Sequence, residues 1–308
     1  MLILENLFNN SPISSVQLRA IMLTAPSRYK SYKIKKRSKG SRLISQPAKE
    51  VKFLQRLVVG ILREHLPVHR SATAYEPGAS ILKNAKVHVH NRFLMKIDFK
   101  DFFPSITEND ISNLLLYHLK DIKDDELKMI VRLLVFDDEK KRNKPLVLAA
   151  GAPSSPFISN ALMCEFDKKV SEYCIKNKVA YTRYADDMSF STNEQNKLKD
   201  IYAFVKEIIS NINSPRLNIN NDKTVFTSKK FNRRVTGLVL TSENKVSIGR
   251  AAKREIRSGV HRFLNDQLTT EQISTLRGRL SFIASVEPTF ISSLRRYYGN
   301  ETIDNICK

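Results

Sequence analysis

The sequence predicts a mixed α/β fold, in which short strands form a sheet that presents carboxylates and amphipathic helices cover it. Three observations predict this. In Val179-Ala-Tyr-Thr-Arg-Tyr-Ala-Asp-Asp-Met-Ser-Phe-Ser191, two adjacent aspartates lie between β-prone, apolar runs, the pattern of strand, tight turn, strand. Phe93-Leu-Met-Lys-Ile-Asp-Phe-Lys-Asp-Phe-Phe-Pro-Ser105 reads as an apolar-rich strand that delivers Asp98 near its end and breaks at Pro104. Elsewhere apolar residues recur at helical spacing, as in Val51, Leu54, Val58, Ile61 and Leu62.

Residues 12–26 predict a short helix ending near Pro26. Lys33-Ile-Lys-Lys-Arg-Ser-Lys-Gly-Ser-Arg42 is a basic segment with a turn at Gly40, leading into the strand-like Arg42–Ser45. It is either a solvated charged hairpin or a phosphate contact, and the carboxylate site favours the second. The 49–66 segment is a helix packed on a core. Thr107-Glu-Asn-Asp110 resembles a capping box opening a helix with Ile111, Leu114, Leu115 and His118 on one face. Asp124-Asp125 has no apolar strand behind it and reads as a helix start or solvated face; 137–144 is a mixed-charge loop. Pro153 and Pro156 precede a helix whose buried stripe is Ile158, Leu162, Phe166, Val170 and Tyr173. From Lys229 to Arg257 basic residues outnumber acidic ones nine to two, and Gly249–Arg257 reads as a basic helix on which Lys253 and Arg257 share a face, with Arg254 beside them. The 270–298 segment is helical and also basic.

Neighbouring side chains in a strand point to opposite faces, so Asp186 and Asp187 can serve one site only if the chain bends there. Alone they could be a solvated hairpin turn. Asp98 changes the balance, because Asp is disfavoured late in a strand. Three carboxylates on one sheet can hold two Mg²⁺ about 3.5–4 Å apart, clamping the attacking and leaving oxygens of a phosphoryl transfer. Mg²⁺ typically takes one or two carboxylates, with phosphates and water completing its shell.

Among 308 residues, 52 are Lys or Arg and 31 are acidic, a formal charge of +21 that calls for a polyanionic partner, nucleic acid or anionic membrane. No run approaches the roughly 20 apolar residues of a membrane span, and the N-terminus lacks a signal-peptide pattern. Three cysteines, Cys164, Cys174 and Cys307, are too few and too irregular for a disulfide framework or zinc site. The expectation is a cytoplasmic protein with a nucleic acid partner and no membrane. At 42% hydrophobic residues a sizeable core is expected.

The Asp98 and Asp186-Asp187 stretches resemble the metal-binding motifs of reverse transcriptases. Gly151-Ala-Pro-Ser-Ser-Pro-Phe-Ile-Ser-Asn160 resembles the glycine-proline segment between them, Leu217–Thr224 the segment after the Asp-Asp hairpin, and Val235–Val239 the next. These motifs run in family order from about Arg42 to Leu240. Asn84-Ala-Lys-Val-His88 and Val235-Thr236-Gly237 are similar to signatures of the retron branch, although His88 alone could be a satisfied polar residue beside a sheet.

The resemblance implies a right-hand polymerase: fingers at 1–92, palm at 93–240 with a fingers insertion at about 107–147, and a helical thumb at 241–308. It implies that Asp98, Asp186 and Asp187, with the Phe99 carbonyl, hold two Mg²⁺. Arg42, Phe103, Gly151 and Lys223 would meet the dNTP, with Phe103 as the ring that excludes a 2′-OH; its alternative is a core aromatic, the role expected of Phe102. Tyr184 would support the primer end. Asn84, His88, Val235, Thr236 and Gly237 would read the RNA, and Lys253, Arg254 and Arg257 would track its backbone. The implied template is a cognate structured noncoding RNA (msr-msd), primed at the 2′-OH of an internal guanosine to give branched RNA-linked single-stranded DNA (msDNA), in an antiphage system with a separate effector protein. No RNase H segment follows the thumb, so template removal would need a host RNase H. The sequence departs from the family where Ala150 replaces the usual glutamine before Gly151, which puts nucleotide affinity or fidelity in doubt. Two alternatives stay open: another bacterial reverse transcriptase, group II intron-like, and a non-catalytic RNA-binding protein on a decayed polymerase fold.

Overall fold

The structure, a computed structural model, describes residues 3–35, 40–138 and 144–308. Residues 36–39 of the basic segment and 139–143 of the mixed-charge loop lie outside the described residues.

Helix α1 (Ile3–Asn9) is followed by α2 (Ser15–Thr24), whose N-terminus is capped by the Ser14 hydroxyl accepting from the Gln17 N–H. A short 3₁₀ turn over Ala25–Ser27 leads to an antiparallel hairpin of β1 (Tyr29–Lys35) and β2 (Ser41–Pro47). The predicted core helix is α3 (Lys49–Leu62), burying Val51, Leu54, Val58 and Leu62. Helix α4 (Ile81–His88) then precedes strand β3 (Phe93–Asp98). The Thr107 capping box is present: the Thr107 hydroxyl accepts from the Asp110 N–H, and the Asp110 carboxylate accepts from the Thr107 N–H. It opens α5 (Glu108–His118); α6 (Asp124–Leu134) starts at the second acidic pair, which suits the positive end of the helix dipole.

The single helix expected after Pro156 is two, α7 (Ser155–Leu162) and α8 (Cys164–Lys176), joined at Met163, whose ψ of 2° leaves the helical region. The apolar stripe is continuous in sequence but serves both helices: Ile158 is buried in α7, Phe166 and Val170 in α8, and Leu162 and Tyr173 are only partly covered.

Strands β4 (Ala180–Tyr184) and β5 (Asp187–Thr192) form the aspartate hairpin, and α9 (Lys197–Asn211) follows. Strand β6 (Val225–Ser228) completes an antiparallel sheet ordered β4-β5-β3-β6. A second antiparallel sheet contains β7 (Arg233–Val235), β8 (Leu238–Leu240) and β9 (Val246–Ser247). Helices α10 (Arg250–Leu264), α11 (Thr270–Val286), α12 (Pro288–Tyr298) and α13 (Asn300–Cys307) end the chain. The 270–298 segment divides at Glu287 because Pro288 cannot continue the preceding helix.

Alternation along β3 distributes its side chains between two cores. Met95 and Ile97 enter the larger core, with Leu54, Ile130, Phe166 and Phe190. Leu94 enters the smaller one, with Ala85, Val235, Leu238, Leu280 and Leu294. Helix α4 stands between them: Ala85 faces the smaller core, whereas Asn84 and His88 face the four-stranded sheet. The second sheet and helices α10–α13 are therefore attached to the four-stranded sheet largely through α4 and β3.

Candidate active site

The sheet register creates the site. Asp98, the last residue of β3, lies opposite Asp187, the first residue of β5. Tyr184 also pairs with Asp187, leaving only Ala185 and Asp186 in the turn. Ala185 has φ +57°, a left-handed conformation that a residue with a Cβ adopts only at a cost. The Phe99 N–H donates to the Asp186 carbonyl at 3.1 Å, stitching the hairpin tip to the end of β3. Residues 218–220 bind the other edge: Lys100 N–H donates to the Asn218 carbonyl, and Asn220 N–H to the Asp98 carbonyl, both at 2.8 Å.

Two lysines lie against the carboxylates. Lys223 Nζ is 2.9 Å from Asp98 Oδ1, as its motif position leads one to expect of a residue at this site. Lys96 Nζ is 2.9 Å from Asp187 Oδ2. Sequence reasoning missed Lys96, although period-two alternation puts it on the same face as Asp98, and a long side chain spans the cross-strand diagonal to Asp187. Burial raises the Asp186 carboxyl above the usual carboxylate range, and the nearby Asp98 charge adds to this, whereas the backbone and Arg42 oppose it. Burial also raises the Asp187 carboxyl, with Lys96 opposing.

The donor set fits a divalent cation. Burial makes Asp186 and Asp187 costly to keep charged without a cation; Asp187 is paired with Lys96, whereas Asp186 has, among the described residues, only the more distant charge of Arg42. Among the described residues no group of three acidic, His or Cys side chains forms a ready-made cage. An ion completed by substrate phosphates and water needs no such cage.

The predicted nucleotide-facing residues divide. Arg42 is exposed on β2, and its charge acts on both Asp186 and Tyr75. Phe103 is partly exposed, 5.5 Å from the Phe102 ring, whereas Phe102 is buried and stacks on Phe99 at 5.6 Å. Gly151 has φ +126°, and a Cβ there would meet the Ser45 carbonyl oxygen at 2.8 Å. Its requirement for glycine thus comes from the neighbouring strand β2, which is also held by the Ser45 N–H donating to the Ala150 carbonyl at 2.9 Å. The Ala150 position keeps that backbone contact, which needs no glutamine side chain.

Tyr184 is partly covered, and its ring lies 6.2 Å from that of Tyr75. Tyr75 is half-exposed with φ +65°, and no periodicity in the sequence marks it. Burial raises its hydroxyl pKa, with Tyr184 and Asp186 contributing.

The two segments expected to read RNA require correction. Asn84 and His88 are enclosed, at 1% and 0% exposure, so their side chains cannot touch a nucleic acid on the surface. His88 Nδ1 is 2.7 Å from Ser191 Oγ and His88 Nε2 is 2.7 Å from Thr182 Oγ1. The Thr182 hydroxyl donates to Asn84 Oδ1, and Asn91 Nδ2 donates to Ser191 Oγ. Those partners assign the tautomer: Nε2 donates to Thr182, and Nδ1 accepts from Ser191. Burial holds the imidazole neutral by pushing its pKa down to about 3. Thr182 and Ser191 belong to β4 and β5, so α4 braces the aspartate hairpin from behind.

Val235 is also buried, whereas Thr236 and Gly237 form a two-residue hairpin turn with φ +46° and +86°. The Thr236 hydroxyl donates to the Ile81 carbonyl at the start of α4, and the buried Arg233 donates to the Val89 carbonyl just beyond its end. The two signatures, separate in sequence, are two sides of one joint. Of the second, only Gly237 is exposed.

The basic helix is α10, but its three named cations have different settings. Lys253 forms an ion pair with Glu287 at 2.5 Å, and Glu287 also accepts from the Ser247 hydroxyl and the Ile248 N–H. Lys253 is thus a tie at the α11–α12 elbow, which corrects its expected role as a free backbone contact. The Arg257 guanidinium lies 5.4 Å from the Phe290 ring. Arg254 is exposed and lines a groove of about 560 Å³ between α10 and α11 with Arg262 and Arg279.

Carboxylates that need cations, set at the ends of the two central strands in a strongly basic chain, suit transfer of a nucleotidyl group on a nucleic acid, the work of a template-directed polymerase. Comparison with known proteins gives the branch. Residues 34–243 match the family described as "Reverse transcriptase (RNA-dependent DNA polymerase)". The chain is 43% identical over 280 residues to the Retron Ec83 reverse transcriptase of Escherichia coli, covering 91% of this chain and 90% of that protein. It is 32% identical over 310 residues to the Retron Ec86 reverse transcriptase of the same organism, covering 98% and 92%. Apo telomerase from Candida tropicalis shares the fold at a TM-score of 0.50 with 14% identity, over 87% of this chain and 58% of that one. The chain belongs to the reverse transcriptases and, within them, to the bacterial retron branch; it is an RNA-directed DNA polymerase with a right-hand polymerase fold. Among the described residues, no helix is long and apolar enough to cross a membrane.

Proposed function

We propose that this chain copies one structured noncoding RNA into DNA by two-Mg²⁺ nucleotidyl transfer, starting at the 2′-OH of an internal guanosine. The observation that carries the reading is the register that puts Asp98 opposite Asp187 with Asp186 at the turn. Bound Mg²⁺ would activate the primer hydroxyl and stabilise the pyrophosphate leaving group. Asp98, Asp186 and Asp187 would hold these ions, with the Phe99 carbonyl as a further oxygen. Lys96 and Lys223, now paired with Asp187 and Asp98, would yield those carboxylates to bound cations. Lys223 and Arg42 would meet the triphosphate charge, and Tyr184 with Tyr75 would flank the primer end. The protein's contribution is positioning and charge stabilisation.

In this reading, residues 1–92 and about 107–147 are fingers, 93–240 palm and 241–308 thumb. The product is branched msDNA joined to its msr-msd RNA, a host RNase H removes template, and a separate effector protein makes the assembly an antiphage unit in the cytoplasm. The retron relatives support this assignment. Sequencing the nucleic acid that copurifies with the chain, before and after treatment with a 2′,5′-debranching enzyme, tests it. A debranching-sensitive RNA–DNA species is expected; a linear product primed from a 3′-OH would refute the priming reading.

Phe103→Ala should raise ribonucleotide incorporation relative to dNTP incorporation by about 10-fold or more, since one lost steric or pocket contact is worth about 1–3 kcal/mol. The motivation is a partly exposed ring beside a buried Phe102. Competition between dCTP and CTP in primer extension measures it, and unchanged sugar selectivity in an active variant would make Phe103 a core residue only.

Arg254→Gln should weaken RNA binding and reduce the salt-dependence slope by about 0.7–0.9, the release expected for one phosphate contact. Lys253→Gln should instead lower Tm, because it breaks the Glu287 tie. Filter binding across a salt series, with melting curves of both variants, separates the two; a slope lost with Lys253 and kept without Arg254 would reverse these roles.

A further inference from the structure

A buried charge network under the catalytic turn is not explained by metal or nucleotide binding. Arg183 is the one cation in the otherwise neutral strand β4, and both it and Asp167 of α8 are completely enclosed. Asp167 accepts from Arg183 Nε at 2.9 Å and from Nη2 at 2.6 Å, and also from the Tyr181 hydroxyl at 2.7 Å. An enclosed ion pair costs much desolvation, and apolar residues could fill the same space. The guanidinium has a further reach, however. Arg183 Nη1 donates to the Ala185 carbonyl at 3.0 Å and to Asn160 Oδ1 at 3.2 Å. Asn160 Nδ2 in turn donates to the Ala74 carbonyl at 2.9 Å and to Glu76 Oε1 at 3.1 Å.

These contacts converge on two backbone outliers. Ala185, at φ +57°, immediately precedes Asp186; Tyr75, at φ +65°, lies between the two Asn160 acceptors, and its ring faces Tyr184. Such conformations persist only where surrounding contacts over-determine them. Main-chain bonds from Arg183 N–H to the Ser71 carbonyl at 2.7 Å and from Thr73 N–H to the Arg183 carbonyl at 2.8 Å fasten the same two segments.

We infer that Arg183, oriented by Asp167 and extended by Asn160, is a positioning residue that holds Ala185 and Tyr75 in their left-handed conformations and so sets Asp186 and Asp187 for metal. This rests on the metal reading above. Arg183 touches no substrate; it acts through the Ala185 carbonyl. Lysine would keep the charge beside Asp167 but cannot make the fork that reaches Asp167, Asn160 and Ala185 together.

The test uses Arg183→Lys and Asn160→Ala in the full chain, each alone and combined with Ala185→Gly. Mn²⁺ binding is followed by calorimetry, alongside RNA affinity, melting, and kcat and KM for dNTP. Each folded variant should bind Mn²⁺ about 10- to 100-fold more weakly and lose kcat by a similar factor, as expected when an outer support of a metal site is removed. RNA affinity and KM should change less than about threefold, well below that loss of metal affinity. Ala185→Gly should restore part of the loss, because glycine enters positive φ without a Cβ penalty. Should Arg183→Lys fail to fold, Asn160→Ala carries the same comparison with the Arg183–Asp167 pair intact. Variants that bind Mn²⁺ like the parent, or losses that Ala185→Gly leaves untouched, would overturn the positioning role. Asp186→Asn is the control for the metal reading: if parent and control bind Mn²⁺ equally, that reading falls and this inference with it.

Discussion

Asp186→Asn and Asp187→Asn should each reduce DNA synthesis by about 10²–10³-fold or more, the loss typical when a group that stabilises transition-state charge is removed. RNA binding should persist, since Asp186 in the turn and Asp187 at the start of β5 are both partly exposed and neither change empties a core. Burial raises both carboxyls above their usual range, with Asp98 adding to the effect at Asp186. A raised carboxyl means that the metal-free folded protein binds its proton more readily than the unfolded chain does. These two groups therefore oppose folding at neutral pH and oppose it less as pH falls through their raised pKa values. Asp186→Asn should accordingly melt at a higher temperature than the parent in metal-free buffer. The gain should be smaller for Asp187→Asn, because Lys96 loses its partner. Such a trade of stability for function is common at active sites. Primer extension and calorimetry decide the matter: near-normal Mg²⁺-dependent extension by either variant would end the proposed mechanism.

His88→Ala should destabilise the fold by about 2–4 kcal/mol, combining a cavity with the loss of one hydrogen bond from each of two buried hydroxyls. The imidazole is fully enclosed, and both its nitrogens are hydrogen-bonded to strands of the aspartate hairpin. A pH signature accompanies it. The folded pKa is pushed down to about 3 by burial, whereas the unfolded value is about 6.5. Above pH 6.5 neither state is protonated at His88, and its full stabilisation is present. Between these values the unfolded chain takes up a proton that the folded chain refuses. Stability then falls with falling pH by up to about 1.4 kcal/mol per pH unit. Denaturant melts from pH 7 to 4 should show this slope in the parent and lack it in His88→Gln. Affinities of folded protein for cognate RNA and an unrelated hairpin should keep their ratio in His88→Ala. A selective loss of cognate RNA by a fully folded variant would restore a reading role to α4.

The chemistry of the site is legible in the amino-acid sequence. Asp98 and Asp186-Asp187 stand out because carboxylates interrupt β-prone runs, and a turn is the only way to bring adjacent strand residues to one site. The capping box at Thr107, the core stripe of α3 and the basic α10 follow from short-range rules of spacing and composition, and all three are present. The collinear motifs named the family, and the Asn84–His88 and Val235–Gly237 signatures named the retron branch that the relatives share.

What lies beyond the reach of the sequence depends on contacts between residues distant along the chain. Asn84, His88 and Val235 carry a recognisable signature, but whether a signature faces RNA or the interior depends on which elements close over it; here α4 is shared between the catalytic sheet and the second core. Lys253 looks like any cation of a basic helix until the α11–α12 elbow brings Glu287 to it across 34 residues. Gly151 could have approached a substrate, and only the docking of β2 shows which backbone it meets. Arg183, Asp167 and Asn160 are ordinary polar residues in the linear chain. The family and the class of its reaction can be read from the residues alone, because the motifs that carry them are residue types at short spacing. Which polar residues hold the site in shape is settled only by folding, because burial and long-range hydrogen bonds belong to the packed chain and to no local segment of it.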